Sequence, residues 1–171
     1  MESILQLIGA YEIFTNFIPG AIFVYFNRRI LGNQLGEERI LFYLLPVIYF
    51  IGVVINRIGS IGLNFVVRKL KIISFIDYND YIMVEQITNG NNKLAILNRV
   101  NNLYRTFASM LLCHIFIQPF FYTDSCKEIL QIIFIKSWVS WLLFLLFMLS
   151  YRKQSKIIIK YVQKIKKTTE L

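Results

Sequence analysis

Apolar residues in this chain gather into four long runs. The first extends from about Ile4 to Phe26 and is broken by Glu12, Asn16 and Pro19-Gly20. The second begins at Ile40, is cleanly apolar to Ile55, and continues more weakly past Asn56-Arg57 to Val67. The third, Phe107 to Tyr122, carries His114 and Pro119, and the fourth, Ile129 to Tyr151, is interrupted by Lys136. A helix needs about 20 apolar residues to cross the hydrocarbon core of a bilayer. The pattern predicts transmembrane helices over about 4–26, 40–58, 107–122 and 129–151.

Between the second and third runs the pattern changes. Ile61 to Ile76 mixes apolar residues with Arg68, Lys69 and Lys71, as an amphipathic helix lying on a membrane surface would. Asn79 to Thr88 reads as a short helix, and Asn89-Gly90-Asn91-Asn92 is a turn signal. From Lys93 onward, Leu94, Leu97, Val100, Tyr104 and Phe107 recur at helical spacing, so this helix is expected to run straight into the third span. In the tail, Ile158, Tyr161, Val162 and Ile165 share one helical face among lysines. The expected fold is an all-α integral membrane protein forming one membrane domain over 1–171. It has four transmembrane helices, an α-helical cytoplasmic loop over about 59–106 and a basic amphipathic C-terminal helix over 152–171.

Composition strengthens that picture. Of 171 residues, 56% are apolar and 17% charged, against a usual charged share of roughly 25%. A soluble chain of this length has too little interior to hide so much apolar surface. The net charge is +9. The loop from Arg57 to Arg105 and the tail from Arg152 to Lys167 each hold seven basic residues, against five elsewhere. By the positive-inside rule the richer side is cytoplasmic, which puts both termini inside a bacterial inner membrane. The local flank Arg28-Arg29 argues the other way, and the whole-chain count is followed. The first cationic side chain is Arg28, so a cleavable signal peptide is not expected.

Polar residues inside the apolar runs are the first candidates for function, because they are costly in lipid. Glu12 and Lys136 are a candidate ion pair; the alternative places each at its own interface. Asn16 with Pro19-Gly20, Pro46 and Pro119 would kink three helices, and Glu12, Asn16 and Gln118 could face a shared polar axis. Gly52, Asn56 and Gly59 lie on one helical face and form a candidate packing seam, with Asn56 bonding across it. Near the cytoplasmic boundary, Arg57, Ser60, Arg99, Asn102 and Arg105 form a candidate anion- or partner-binding group, since guanidinium forks and amides suit phosphate. Its ligand would be a lipid headgroup, a nucleotide messenger or RNA; the alternative is arginines reaching for the interface and asparagines capping helices.

Enzyme chemistry finds no foothold. There is no phosphate-binding glycine loop, nucleophile elbow or metalloprotease helix motif. Cys113 and His114 are too few for a metal site, and two cysteines make no disulfide framework. Neither cofactor nor catalytic residue is expected. The four spans and basic cytoplasmic loop resemble small bacterial membrane proteins of antiphage defence loci, such as four-span accessory proteins of RNA-targeting CRISPR effectors and the membrane subunit of Kiwa systems. The resemblance covers topology and size, and no functional residue is carried over from it. The apolar content, the kinked helices and the small-residue face point to a non-enzymatic effector or accessory protein that forms homo-oligomers and perturbs or gates the membrane when a cytoplasmic protein signals. The alternatives are a membrane anchor that recruits a soluble protein or an acidic polymer such as nucleic acid to anionic headgroups, and a small transporter.

Overall fold

The computed structural model describes residues 11–27, 38–88, 93–122 and 137–169, with the isolated positions 9, 133 and 135. Among these residues the chain is all-helical and has no strand. A π-helical turn over Ile13–Phe17 leads into α1, Ile18–Phe26. The wider turn sits immediately before Pro19, which has no N–H to continue the ordinary ladder. Ile18 N–H reaches back to the carbonyl of Ile13, and the Thr15 hydroxyl donates to the Tyr11 carbonyl at 2.7 Å. The segment expected to kink therefore stays helical by shifting its register.

Helix α2, Glu38–Ile58, continues through a second π-helical turn, Gly59–Leu63, into α3, Asn64–Lys69. The continuous stretch Leu44–Lys69 is the one helix among the described residues with the length and apolarity to cross a membrane; Ile13–Phe26 is a shorter apolar helix. The expected amphipathic helix at Ile61 to Ile76 takes another form. Its first half extends the second span to Lys69, and residues 70–77 leave the helix. The break is set at Lys71, whose φ of 53° lies in the left-handed region. Leu70, Lys71 and Ile72 donate to the last-turn carbonyls of Val66, Arg68 and Val67, which satisfies orphan acceptors at the helix end. Val67 and Ile73, either side of the break, are both buried, while Phe65, Val66, Leu70 and Ile72 stay exposed.

Helix α4, Tyr78–Ile87, starts at Asp77, whose carboxylate accepts from Asn79 N–H at 2.9 Å as an N-cap. Helix α5 spans Lys93–Tyr122 and α6 spans Trp138–Thr169. These two helices would measure about 45 and 48 Å, longer than a hydrocarbon core of about 30 Å. They run antiparallel: Ser137 meets Gln118, Phe147 stacks on Phe107, and Gln154 meets Leu97.

The core falls into three clusters along this pair. Ile55, Met110 and Leu111 centre the first, with Phe107, Phe144 and Phe147 packed around them. Leu63, Val67, Ile73, Ala108 and Tyr151 centre the second. Val84, Leu94, Ile158 and Val162 centre the third, which joins α4 to the N-terminal part of α5 and the C-terminal part of α6. Around the first cluster the outer surface is apolar: Phe50, Val54, Ile58 and Ile61 on α2 and its extension, and Leu142, Leu145 and Leu149 on α6, are all exposed. Around the third it is mixed: Lys153, Lys156, Lys160, Lys164, Glu85 and Gln86 are exposed beside Tyr78, Ile87 and Ile96. The molecule thus has an apolar bundle at one end and a polar helical layer at the other.

Candidate functional site: a polar seam between the helices

Where the apolar bundle meets the polar layer, polar side chains from every long helix converge. Asn56 on α2 is the hub. Its Nδ2 donates to Asn16 Oδ1 at 2.9 Å, and its Oδ1 accepts from Arg105 Nη2 at 3.1 Å and from Thr106 Oγ1 at 3.2 Å. Beside it, Asn102 Nδ2 donates to the Tyr11 hydroxyl at 3.2 Å, and Arg99 lies over the Tyr11 ring, 5.4 Å from its centroid. On the other side, the Tyr151 hydroxyl approaches the Arg105 guanidinium and donates to Asn64 Oδ1 at 2.7 Å. Further into the polar layer, Ser155 donates to Asn101 Oδ1 at 3.2 Å and Gln154 donates to the Leu97 carbonyl at 3.1 Å.

Close backbone approach makes the seam possible. A Cβ on Gly52 would collide with the Asn16 carbonyl, and one on Gly59 would collide with the Ser109 hydroxyl. Gly52 therefore lets the π-helical turn before α1 lie directly on α2. Gly59 admits α5 in the same way. These contacts bring Asn16, Asn56 and Arg105 within hydrogen-bond reach, as small residues do in close helix packing.

The sequence-derived candidates divide between this seam and other places. Asn16, Asn56, Asn102 and Arg105 belong to the seam, with Gly52 and Gly59 as its spacers. Arg99 sits at its edge against Tyr11. Arg57 is exposed on another face of α2, next to Val53, Val54, Ile58 and Ile61. Ser60 is half-buried in the π-helical turn and makes none of the seam's bonds. Arg57 lies close enough to Arg105 for the two positive charges to interact. Arg99 and Arg105 are six residues apart, so their directions differ by about 120° around α5, and Arg57 is about 100° around α2 from Asn56. Arg105 spends its charge on neutral partners, and its Nε is buried without one.

The remaining polar candidates of the apolar runs have local partners. Glu12 is exposed and its Oε2 accepts from the Tyr49 hydroxyl at 3.1 Å. Its expected pairing with Lys136 lies outside the described residues. Gln118 Oε1 accepts from Ser137 Oγ at 3.1 Å. His114 is buried, with Nδ1 3.2 Å from Asn27 Oδ1 and its ring 5.1 Å from that of Phe26. Cys113 is a half-buried free thiol. Among the described residues no three metal-ligating side chains gather.

Reading the sequence for motifs missed Tyr11, Asn64, Thr106, Tyr151 and Ser155. A signal existed: Asn98, Asn101, Asn102, Arg105, Thr106 and Ser109 recur every three or four residues within a helix, which marks polar faces turned to neighbours. In the polar layer, Asp80 pairs with Lys166 at 2.8 Å. Burial, with Glu85 nearby, pushes the Tyr81 phenol above its ordinary value. Comparison with family profiles, curated proteins and solved structures finds no match to this chain.

Proposed function

We propose that this chain is a non-enzymatic, four-span protein of the bacterial inner membrane, with both termini cytoplasmic. In this reading its polar helical layer serves as a cytoplasmic platform for a soluble protein partner. One observation carries the proposal: α5 and α6 pass without interruption from the apolar bundle into the polar layer. A contact made on the layer therefore acts on the same two rods that pack the bundle. The layer also offers apolar contact area, since Tyr78 is 73% exposed and Ile96 49% exposed. Such residues on an otherwise polar surface suit a protein interface. The test is site-specific photocrosslinking in native membranes. A crosslinker at Tyr78 or Ile96 should trap a soluble protein, and one at Leu145 should trap none. Trapping at Leu145 alone would reject the platform.

A second reading, an oligomer that perturbs or gates the membrane, is favoured by one feature. Glu12, exposed with Tyr49 on the outside of the bundle, is a carboxylate that a second copy would cover in lipid. Against a polar axis shared between copies, Asn16 and Gln118 already have partners within the chain. Reconstitution in vesicles separates the readings, since a platform leaves a trapped dye inside. Antiviral defence stays the proposed setting, on the strength of topology and size.

A further inference from the structure

A cavity of about 330 Å³ opens between the reversal that follows α3, helix α4, and the polar halves of α5 and α6. Its polar lining comes from Arg68, Ser74, Tyr81, Asn98, Asn101 and Ser155, and its apolar wall includes Phe75 and Ile158. The left-handed turn at Lys71 brings the chain back, so that the Phe75 ring lies under the Arg68 guanidinium, 4.6 Å from centroid to Cζ. This stacking orients the fork and leaves its N–H groups to another partner. Asn101 uses its Oδ1 to accept from Ser155, so its amide donors remain for a ligand. A second groove shares Ser74, Phe75 and Ile159 with this cavity and adds Lys156 and Lys160. The joined surface carries three cations. No carboxylate lines either part, and the adjacent Asp77 is held as the cap of α4. Among the described residues no carboxylate lies within ion-pair distance of Arg68.

We propose that this cavity binds a phosphate group carried by a molecule with an apolar or aromatic part. A forked guanidinium, two ammonium groups and an amide donor match the several acceptor oxygens and negative charge of a phosphate. Phe75 and Ile158 take the non-polar part, and the volume falls within the ordinary range for small-molecule sites. Two sources supply that chemistry. Arg68 lies one residue before the end of the apolar helix Leu44–Lys69, the depth of a phospholipid headgroup in the proposed topology. A soluble nucleotide has the same phosphate and an aromatic base. The site adjoins the Asn56 seam, sharing the Asn101–Ser155 pair with it, and rests on the proposed topology only for the lipid's depth.

The test uses the full chain in neutral detergent, titrated in one arm with dioctanoyl phosphatidylglycerol and in the other with AMP, by calorimetry or native mass spectrometry. Saturable binding of either is expected, and the arm that saturates at lower concentration identifies the source. Arg68 and Ser74 are both exposed, so changing them leaves the core intact. Arg68→Gln should weaken binding about tenfold or more, the loss of a charged hydrogen bond. Ser74→Glu should abolish it. Lys164→Gln removes an equal charge from an exposed position on α6 outside the cavity and should change affinity less than twofold. The proposal is overturned if neither probe saturates, if Ser74→Glu binds normally, or if Lys164→Gln weakens binding as much as Arg68→Gln. Because the protein is solubilised, failure here leaves the topology untouched, and that is read separately by labelling.

Discussion

Asn56 donates to Asn16 at 2.9 Å across the α2 face opened by Gly52, while its carbonyl oxygen accepts from Arg105 and Thr106. One amide thus satisfies three groups on two elements. Asn56→Leu strips all of them at once, whereas Asn16→Leu removes one bond. We expect Asn56→Leu to destabilise the protein by about 1–3 kcal/mol, the cost of leaving buried polar groups unpaired. Asn16→Leu should cost less. A double-mutant cycle, followed by unfolding in mixed detergent and dodecyl sulfate, should return a coupling of roughly 0.5–2 kcal/mol. Additive effects would mean that the bond contributes nothing to stability.

The glycines supply a sharper contrast. A methyl group on Gly52 meets the backbone carbonyl of Asn16, which has no flexible end to move aside, whereas one on Gly62 meets nothing within 4 Å. Gly52→Ala should lower stability by about 2 kcal/mol or more, because the two elements must separate. Gly62→Ala should be neutral or stabilise by roughly 0.5–1 kcal/mol, through the lower entropy cost of alanine in a helix. Thermal denaturation in detergent measures both.

Arg105 and Arg57 should part company. Arg105 bonds to Asn56 and lies beside Tyr151, so Arg105→Ala removes a bond and opens space in the second core cluster. It should destabilise by about 1–3 kcal/mol. Arg57 is exposed, and Arg57→Ala should stay within about 0.5 kcal/mol of the parent. Equal effects in the same denaturation assay would show that the seam does not depend on the guanidinium.

The polar layer is held by a buried apolar cluster. Val162 is 1% exposed against Val84, Leu94 and Ile158, whereas Ile157 on the same helix is 40% exposed. Val162→Asp places an unpaired carboxylate in that cluster, a change worth several kcal/mol. Limited proteolysis of membranes should then cut α4 and the end of α6 rapidly, with the chain still in the membrane fraction. Ile157→Asp should resist like the parent.

How much of this was legible in the sequence depended on the kind of signal. The helix from Lys93 to Tyr122 was written in the spacing of Leu94, Leu97, Val100, Tyr104 and Phe107, because burial against a neighbour imposes a helical period. The short helix expected at Asn79 to Thr88 is found at Tyr78–Ile87, one residue earlier, because Asp77 caps it. The fate of Ile61 to Ile76 was not. An amphipathic pattern reports that one face is buried, but not whether lipid or protein buries it, and here Val67 and Ile73 face the core. The glycine face at Gly52 and Gly59 was visible as spacing, whereas its partners Asn16 and Ser109 lie far away in sequence. The asparagines of α5 read either as part of an anion-binding group or as caps. Their joint spacing becomes meaningful only when α1, α2 and α6 are placed around them.

The proposed topology places the bundle within the membrane and the helical layer in the cytoplasm. Cysteine labelling tests it most directly. In a chain carrying Cys113→Ser and Cys126→Ser, single changes Ser74→Cys, Tyr78→Cys and Lys164→Cys sit on the exposed polar layer, and Phe50→Cys and Leu145→Cys sit on the exposed apolar surface. A membrane-impermeant maleimide should label the first three in inverted vesicles and in none of the intact spheroplasts. It should label Phe50→Cys and Leu145→Cys in neither. Labelling of the layer positions in intact spheroplasts, or of Phe50→Cys and Leu145→Cys in undisturbed membranes, would contradict the account.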